Sequence, residues 1–527
     1  MSFEFAWHPD AWLLVAPMLV VCGTALVILV GDLFLPNVRW TIPALAGLAL
    51  AAALALARWN QPLAAAEAAL NGALRLDAFA IFLQVAILAC AGLSLLGAQA
   101  YHERAGTGRA EFFVLVLFAT VGMMVLVASS DLITMFLGLE LLSFPTYVLC
   151  GFLRQQIKSN EAALKYFVLG SFASSVFLYG IALVWGASGS TQLAEIAQAP
   201  ESPLLYLGAL LVATGFLFKI GAVPFHMWVP DVYEGAPTPV TMLMATAVKI
   251  AAFGALVRTL LVTTLYQTLP LGTILWWCAI LTMTVGNMSA LTQPNIKRML
   301  AFSSVAHAGY MLVGLAAVAT TGWPAGASAV LYYLLAYAAM NIGAFTVVTL
   351  LGRRAEGELQ FDRDWSGVAR RHPGLGVAMA LFMIALGGLP PTAGFFGKYS
   401  LFRAALDAGL VSLVVIAVLN SLVSVYYYLR VIVAMYMKAE REAPPVLLDA
   451  LAPRVHAFDG PGAMAAPDVV APPPAPRLAE ARPWGAFLAV AVCAVLTLWL
   501  GIGPSLGGLP GLSQVMAWAE AAVESLR

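Results

Sequence analysis

The sequence predicts an all-α integral membrane protein of about fourteen transmembrane helices, ten of which form two inverted five-helix repeats with broken helices 7 and 12. Three observations lead to this fold class. The 527 residues are 61% hydrophobic and only 10% charged, whereas a soluble domain is about 45–50% apolar and 25% charged. Most of the apolar residues lie in runs of about 20, the length that a spanning helix requires. Glycine and proline interrupt two of these runs, five spans apart.

The individual spans follow from the same length rule. The first run is interpreted as a retained helix rather than a signal peptide, because no basic residues precede it and Glu4 and Asp10 do. The predicted spans are 11–34, 41–59, 76–100, 111–129, 131–152, 160–187, 203–229, 238–263, 271–291, 295–318, 325–351, 374–406, 409–437 and 484–503.

Lysine and arginine are divided unequally between the connections on the two sides of the predicted bundle. The odd-numbered connections hold seventeen of these residues and the other side holds five. Because cytoplasmic loops carry the excess of basic residues, we expect the odd-numbered connections in the cytoplasm. An even number of spans then places both termini outward.

The connection 439–483 differs from all the others in composition. It contains ten prolines, including APPPAP at 471–476. Such a segment is too polar to span a membrane and has no pattern for packing. The sequence predicts a flexible cytoplasmic loop, with a docking role as the alternative.

Several classes of function are disfavoured by composition and by missing motifs. The formal net charge is zero, so we expect no nucleic-acid partner. The five cysteines lie in apolar runs without CxxC spacing, which gives no sign of an iron–sulfur, zinc or disulfide framework. Neither a GxGxxG stretch after a strand nor a P-loop is present. We therefore expect no cofactor and no metal on this chain.

The two interrupted spans indicate an internal repeat. Span 7 reads FKIGAVPFHMWVPD and span 12 reads ALGGLPPTAGFFGK. Broken helices in corresponding positions of two halves point to a binding site in transporters, although ordinary proline kinks are the alternative. Because five is odd, the second unit would be inverted relative to the first. The predicted units are helices 1–3 (1–110), the first repeat (111–263), the second repeat (271–437), the loop (439–483), and the final helix with a C-terminal tail (484–527).

Four ionisable residues lie at mid-membrane depth, one per helix: Glu140, Lys219, Lys249 and Lys398. Charges at this depth usually mark an ion or proton path. One carboxylate and three lysines do not balance, which argues against a set of inert buried ion pairs. Burial favours the neutral form of each group and a nearby opposite charge favours the ionised form, so a relay could be tuned. We expect Glu140 and Lys219 to form a pair.

Three further titratable residues are candidates for the same path. His307, in FSSVAHAGYML, lies midway along span 10; the alternative is a core histidine bonded to Ser303 or Ser304. Lys165 lies inside span 6 near its cytoplasmic end, where an interfacial lysine is the alternative. His226 lies at the break in span 7. Both are expected to be auxiliary residues.

Several of these stretches together resemble a known family. LGLELLSFPTYVLCGF, SNEAALKYFVLGSFASS, WVPDVYEGAPTP, NIKRMLAFSSVAHAGYMLVGL and LGGLPPTAGFFGKYSLF are similar to segments of the antiporter-like membrane subunits of respiratory complex I, the proton-translocating NADH–quinone oxidoreductase. The similarity covers about residues 10–438 and the final span. It implies the fourteen-helix fold with inverted repeats. It also implies a proton path through Glu140, Lys219, Lys249, His307 and Lys398.

The resemblance also implies partners and a location. ELLSFPTYVL in span 5, and an eighth span without an early histidine, resemble the N-type members of the family more than the L and M types. The expected partners are other membrane-arm subunits in the lipid bilayer of the bacterial inner membrane. A peripheral arm would carry FMN and iron–sulfur clusters on other chains. The alternative is a subunit of a multi-chain cation/proton antiporter; a membrane scaffold with vestigial charges would be a third reading.

Overall fold

The computed structural model describes residues 9–35, 39–59, 72–105, 109–265, 269–352, 365–438, 483–502 and 512–526. Across these ranges the regular structure is helical, with two isolated β-bridges. Among the described residues, twelve helices are long and apolar enough to cross a membrane, and two shorter apolar helices, Thr41–Leu56 and Pro373–Gly387, complete the fourteen predicted spans. The loop prediction for 439–483 falls almost wholly outside the described residues.

The span bounds are close to those predicted. In chain order, spans 1 to 14 are Pro9–Phe34, Thr41–Leu56, Ala78–Ala105, Ala110–Ala128, Leu132–Cys150, Ile157–Ser188, Pro203–Ile220, Thr238–Thr263, Leu271–Leu291, Ile296–Thr321, Ala325–Leu351, the two-part Pro373–Gly387 and Ala393–Asp407, Val411–Tyr436 and Trp484–Ile502. Short helices lie outside the spans at Leu193–Ile196, Trp228–Gly235 and Val368–Arg371.

The two predicted breaks are confirmed. Span 7 ends at Ile220, and Gly221 follows with φ of 75°. The first part of span 12 ends at Gly387, and Gly388 follows with φ of 81°. Glycine adopts this left-handed conformation without a Cβ clash, so the helix ends are encoded locally in the sequence.

A third irregularity was not predicted, because the sequence suggests an unbroken span over 238–263. The helix is interrupted at Thr246, whose φ of −119° and ψ of −78° are not helical. The Thr246 hydroxyl donates to the carbonyl of Met242 at 2.7 Å, a contact that can bend a helix. No glycine or proline marks the position, and Lys249 follows it by three residues.

The packing of the spans follows the repeat. Span 4 packs against span 5 and span 6 against span 7, and correspondingly span 9 packs against span 10 and span 11 against span 12. A Cβ at Gly122 of span 4 would lie 2.3 Å from the backbone of Leu142 in span 5. A Cβ at Gly286 of span 9 would lie 2.6 Å from the backbone of Ala306 in span 10. Close approach of two backbones therefore occurs in the corresponding pairs of both units. The unit boundaries drawn from the sequence remain predictions.

Connections of the same parity meet at the same face of the bundle. On the even-numbered face, Leu74 pairs with Ser129 and Asp131 with Gln192. On the odd-numbered face, Lys158 lies 3.4 Å from Glu234. The alternation on which the orientation depends is therefore present in the fold.

Arg258, one of the five basic residues counted on the even-numbered side, is not a surface residue. Arg258 lies within span 8 with its side chain 1% exposed, and it binds Asp77 through two nitrogens at 2.7 and 2.8 Å. Its Nε also donates to the carbonyl of Val127 at 3.2 Å. Because its charge is neutralised inside the protein, Arg258 should not be counted in the loop asymmetry.

The C-terminal tail contains a helix that the sequence analysis missed. Leu512–Glu524 packs against spans 3 and 11. Beyond it, the Ser525 hydroxyl accepts a hydrogen bond from the Phe79 amide at 3.2 Å.

Candidate proton path

Lys219 lies at the end of span 7, one residue before the helix stops. It is 3% exposed. Its Nζ donates to the hydroxyl of Ser143 at 2.8 Å and to that of Tyr166 at 2.9 Å. It also lies 5.1 Å from the centre of the Tyr166 ring. Spans 5, 6 and 7 therefore meet at this ammonium group.

The predicted ion pair between Glu140 and Lys219 is not formed. The half-buried carboxylate of Glu140 accepts a hydrogen bond from Ser174, and the Lys219 ammonium is bound by Ser143 and Tyr166 instead. The two charges remain within electrostatic range. Lys219, Ser143 and Ser174 line a cavity of about 10 Å³, close to the lower limit for one water molecule. The carboxylate and the ammonium are thus each bound by a serine hydroxyl, and the two serines line the same cavity.

Lys249 lies just after the interruption of span 8 and reaches the second repeat. It is 1% exposed and donates to the main-chain carbonyl of Ser304 in span 10. Its Nζ lies 5.6 Å from the centre of the Tyr337 ring. This lysine of the first unit therefore contacts the backbone of the second unit directly.

His307 lies three residues after Ser304 and is enclosed by tyrosines. Its Nδ1 lies 2.6 Å from the Tyr333 hydroxyl and its Nε2 lies 2.9 Å from the Tyr428 hydroxyl. The hydroxyl partners are therefore tyrosines and not Ser303 or Ser304, and Ser303 is reached through Tyr428 at 2.5 Å; whether His307 is a relay or a core histidine stays a prediction. Both ring nitrogens have a hydroxyl partner, so either tautomer can be accommodated.

Lys398 lies against the break in span 12. Its Nζ donates to the carbonyls of Leu386 and Gly387 at 3.2 and 3.1 Å and to the Ser421 hydroxyl at 2.9 Å. These carbonyls end the first part of the span, where the helix dipole favours a cation. The Tyr310 ring centre lies 4.8 Å from Nζ. The break therefore creates the binding site for this ammonium group.

The buried groups form a row through the second unit. His307 is within electrostatic range of both Lys249 and Lys398. The tyrosines that join them were not predicted as functional, because a tyrosine in an apolar helix is ordinarily a core residue. Their hydroxyl groups distinguish these tyrosines from ordinary core residues, and the hydrophobic pattern of a sequence carries no information on what a hydroxyl group contacts.

The two auxiliary residues lie apart from this row. Lys165 is 41% exposed and binds Glu161 at 2.6 Å and Asp231 at 2.8 Å. That exposed, ion-paired position at the odd-numbered face fits the interfacial alternative, and the auxiliary role stays a prediction. His226 is half-buried in the break of span 7, and its Nδ1 has no hydrogen-bond partner within the described part of the chain.

Acidic, histidine and cysteine side chains do not gather into a metal-binding group anywhere in the described ranges. The chemistry that this arrangement offers is proton exchange among lysine, histidine, carboxylate and hydroxyl groups.

Broken helices with charges at their ends, arranged in two inverted units, define a membrane protein of the antiporter-like class. The family described as NADH:quinone oxidoreductase/Mrp antiporter, TM matches residues 129–424. The chain belongs to this family.

Named relatives and solved structures agree with this assignment. The chain is 50% identical over 375 residues to the NADH-quinone oxidoreductase subunit N of Trichlorobacter lovleyi, covering 70% of this chain and 76% of the relative. It is 41% identical over 456 residues to subunit N 2 of Rhizobium meliloti, covering 85% and 93%. A chain of respiratory complex I from Thermus thermophilus is 34% identical, with a TM-score of 0.73 and coverage of 93% and 98%.

A chain of the Mrp complex from Dietzia sp. has a TM-score of 0.76 at 22% identity, covering 100% of this chain and 98% of that one. At that identity the similarity shows the fold alone.

Proposed function

We propose that this chain is a proton-translocating membrane-arm subunit of a bacterial NADH–quinone oxidoreductase. Family membership and relatives of 41–50% identity that carry the subunit N name support this function. The Mrp complex shares the fold but only 22% identity, so the alternative of a cation/proton antiporter subunit has weaker support.

The observation that supports the proposal most directly is the series of buried polar groups from Lys249 to Lys398. Lys249 of the first unit binds the backbone of Ser304 in the second, and His307 lies within electrostatic range of both Lys249 and Lys398. Protons would pass along Glu140, Lys219, Lys249, His307 and Lys398 in that order. Lysines whose neutral form is favoured by burial can release and take up protons.

The role of each group follows from its partners. Glu140 supplies the negative charge that favours protonated Lys219 across the hydroxyls. Lys249 transfers the proton between units. His307 relays it, because the Tyr333 and Tyr428 hydroxyls can donate to either ring nitrogen or accept from it. Lys398 is the last station, where three acceptors and a helix C-terminus stabilise the protonated form.

Electron transfer is assigned to other chains in this proposal. NADH oxidation would take place in a peripheral arm that holds FMN and iron–sulfur clusters. This chain would contact neighbouring membrane-arm subunits and the lipid bilayer. Its contribution is therefore to translocation alone.

The proposed orientation places the odd-numbered face in the cytoplasm and both termini outside, in the bacterial inner membrane. Gln155 and Gln198 are exposed on opposite faces. In intact cells a membrane-impermeant thiol reagent should label Gln198→Cys and not Gln155→Cys, and lysis should allow both. The reverse pattern would invert the orientation.

The function is tested with membrane vesicles that contain the assembled complex with Lys249→Ala. We expect NADH oxidation and proton pumping to fall together at unchanged assembly, since the link between the units is removed. Lys438→Ala, at an exposed position after span 13, is the matched control. Normal pumping with Lys249→Ala would reject the path. Pumping that follows a cation gradient without NADH would support the antiporter alternative.

A further inference from the structure

The short helix Trp228–Gly235, called the bridging helix below, contacts both the surface charges and the binding site of Lys219. It follows the break in span 7. Asp231 and Glu234 are partly exposed, whereas Trp228 is buried. No function was assigned to these residues in the sequence analysis.

The surface side is held by ion pairs to both repeats. Asp231 binds Lys165 of span 6 at 2.8 Å and Arg298 of span 10 at 2.7 Å. Glu234 binds Lys158 of span 6 at 3.4 Å and Arg298 at 3.0 Å. Arg298 thus binds both carboxylates of the helix. Because one partner belongs to each unit, the bridging helix ties the units together.

The end of the bridging helix is held by a further cation. Lys297 donates to the carbonyls of Glu234 and Ala236 at 2.9 and 2.6 Å. A lysine at this position satisfies carbonyls that have no partner within the helix and interacts favourably with the helix dipole. The residues 297 and 298 of span 10 therefore position the whole element.

The inner side of the bridging helix supports the partner of Lys219. The Trp228 ring stacks on Tyr166 with centres 4.6 Å apart at 14°. Its indole nitrogen donates to the carbonyl of Phe218 at 3.0 Å. Tyr166 in turn accepts the hydrogen bond from Lys219. Displacement of this helix would remove the packing that orients the Tyr166 hydroxyl.

The surface side faces water. A cavity of about 200 Å³ is lined by Lys158, Glu161, Asp231, Glu234 and Arg298. The ion-pair network thus separates an open polar cavity from the buried lysine.

We propose that Asp231 and Arg298 are positioning residues for Lys219: their ion pair clamps the bridging helix, keeps Tyr166 against Lys219 and closes the cytoplasmic approach of water to that lysine. The proposal rests on the proposed function for its mechanistic meaning. The clamp itself can be tested without any measurement of pumping, through the accessibility of a buried thiol.

The chain contains a natural reporter for this closure. Cys150 is 0% exposed and lies within electrostatic range of both Lys219 and Lys297. It lies at the end of span 5, between the buried site and the surface network. Opening of the clamp would expose this thiol to water-soluble reagents.

The experiment measures the rate at which a water-soluble maleimide modifies Cys150 in the intact complex, by mass spectrometry of this chain. We expect Asp231→Asn and Arg298→Gln each to raise the rate about fivefold, because loss of such a pair removes about 1 kcal/mol. Glu161→Gln is the matched control, since Glu161 binds Lys165 without contacting the bridging helix. Asp231→Glu, which keeps the negative charge facing Lys165 and Arg298, should retain most of the protection.

Unchanged protection in both single variants would overturn the clamp, whatever happens to pumping. If the Cys150 rate rises and pumping driven by NADH falls at matched assembly, the positioning role is supported. If the rate rises while pumping stays normal, the assignment of Asp231 and Arg298 as positioning residues is rejected. The Lys249→Ala experiment tests the proposed function separately.

Discussion

Glu140 and Lys219 lie within electrostatic range of each other, but each is bound by its own serine hydroxyl and the two form no direct ion pair. Ser174 binds the carboxylate and Ser143 binds the ammonium, and Lys219 is still within the electrostatic range of Glu140. An indirect link of this kind leaves each charge free to change protonation without breaking a tight salt bridge. Separation by hydroxyls is therefore compatible with a relay, in which both groups must change state.

The coupling of these residues can be measured by a double-mutant cycle. Glu140→Gln and Lys219→Ala should each reduce pumping and NADH oxidation at unchanged assembly. The double variant should lose less than the sum of the two, with a coupling of at least about 0.5 kcal/mol. Fully additive losses would show that the hydroxyl link carries no coupling. Ser174→Ala should reduce the coupling while both charges remain.

Tyr428 is expected to matter for the relay through its hydroxyl alone. Tyr428→Phe removes a partner of His307 Nε2 and of Ser303 while keeping the ring, so pumping should fall at unchanged assembly. Tyr332→Phe is the matched control, because Tyr332 is equally buried but bonds to the carbonyl of Leu500 at 3.0 Å. Equal pumping in the two variants would remove Tyr428 from the path.

Gly388 should tolerate no side chain, for two separable reasons. An alanine there would be strained at φ of 81°, and its Cβ would lie 2.9 Å from Lys398 Cδ. Gly409→Ala is the control, because Gly409 has a φ of 77° and no atom within 4 Å of the added Cβ. It therefore measures the backbone strain alone, about 1–2 kcal/mol. Both variants should lower thermal stability, but only Gly388→Ala should reduce pumping per assembled complex. Restoring a continuous span 12 with Gly388→Ala, Pro390→Ala and Pro391→Ala should impair pumping further.

The Arg258–Asp77 pair is expected to be structural. Arg258→Met would remove the bidentate partner of the Asp77 carboxylate, 6% exposed, and leave the longer contact to Arg75 at 3.6 Å; it should destabilise the chain by up to about 3 kcal/mol. Adding Asp77→Asn should recover much of the loss, because the weakly paired charge is gone and an oxygen remains for the Ala80 amide. Arg403→Ala, which breaks an exposed pair, should change stability by less than about 1 kcal/mol. Thermal unfolding of the purified complex measures all three.

The clamp on the bridging helix should be insensitive to pH near neutrality. Burial raises the pKa of Asp231, but hydrogen bonds from Lys165 and Arg298 and their charges outweigh it and leave the pKa below its usual value. A carboxyl group with a lowered pKa stabilises the folded state at pH values above about 3.9, the pKa of an unfolded aspartate. This stabilisation is lost only as the pH falls through the lower pKa of the folded state.

The side chains that face Asp231 and the rest of the network, on Lys158, Glu161, Lys165, Glu234, Lys297 and Arg298, are carboxylates, lysines and an arginine, residue types whose reference pKa values lie far from 7. The ratio of Cys150 modification rates between Asp231→Asn and the wild type should therefore be constant from about pH 6 to 8. It should shrink at about 1 M salt, where exposed pairs are screened. A ratio that changes steeply near pH 7 would contradict a carboxylate clamp.

The breaks of spans 7 and 12 were predictable because glycine and proline, which interrupt helices, occur at both. Thr246 was not, since a threonine within an apolar run carries no such signal and its distortion depends on a side-chain bond to the preceding turn. The charged members of the path could be found because a charge at mid-membrane depth is costly. Their connections could not, because whether Lys219 binds Glu140 or Ser143 depends on the rotation of three packed helices.

The contact between Phe79 and Ser525 joins positions 446 residues apart in sequence. Spans 1 to 3 leave the ribosome long before the helix Leu512–Glu524 is made, and domains form from the N-terminus during synthesis. The third span must therefore stay in the membrane with part of its surface unpartnered until the helix Leu512–Glu524 has been made. Packing of spans 3 and 11 thus depends on a segment synthesised long after them.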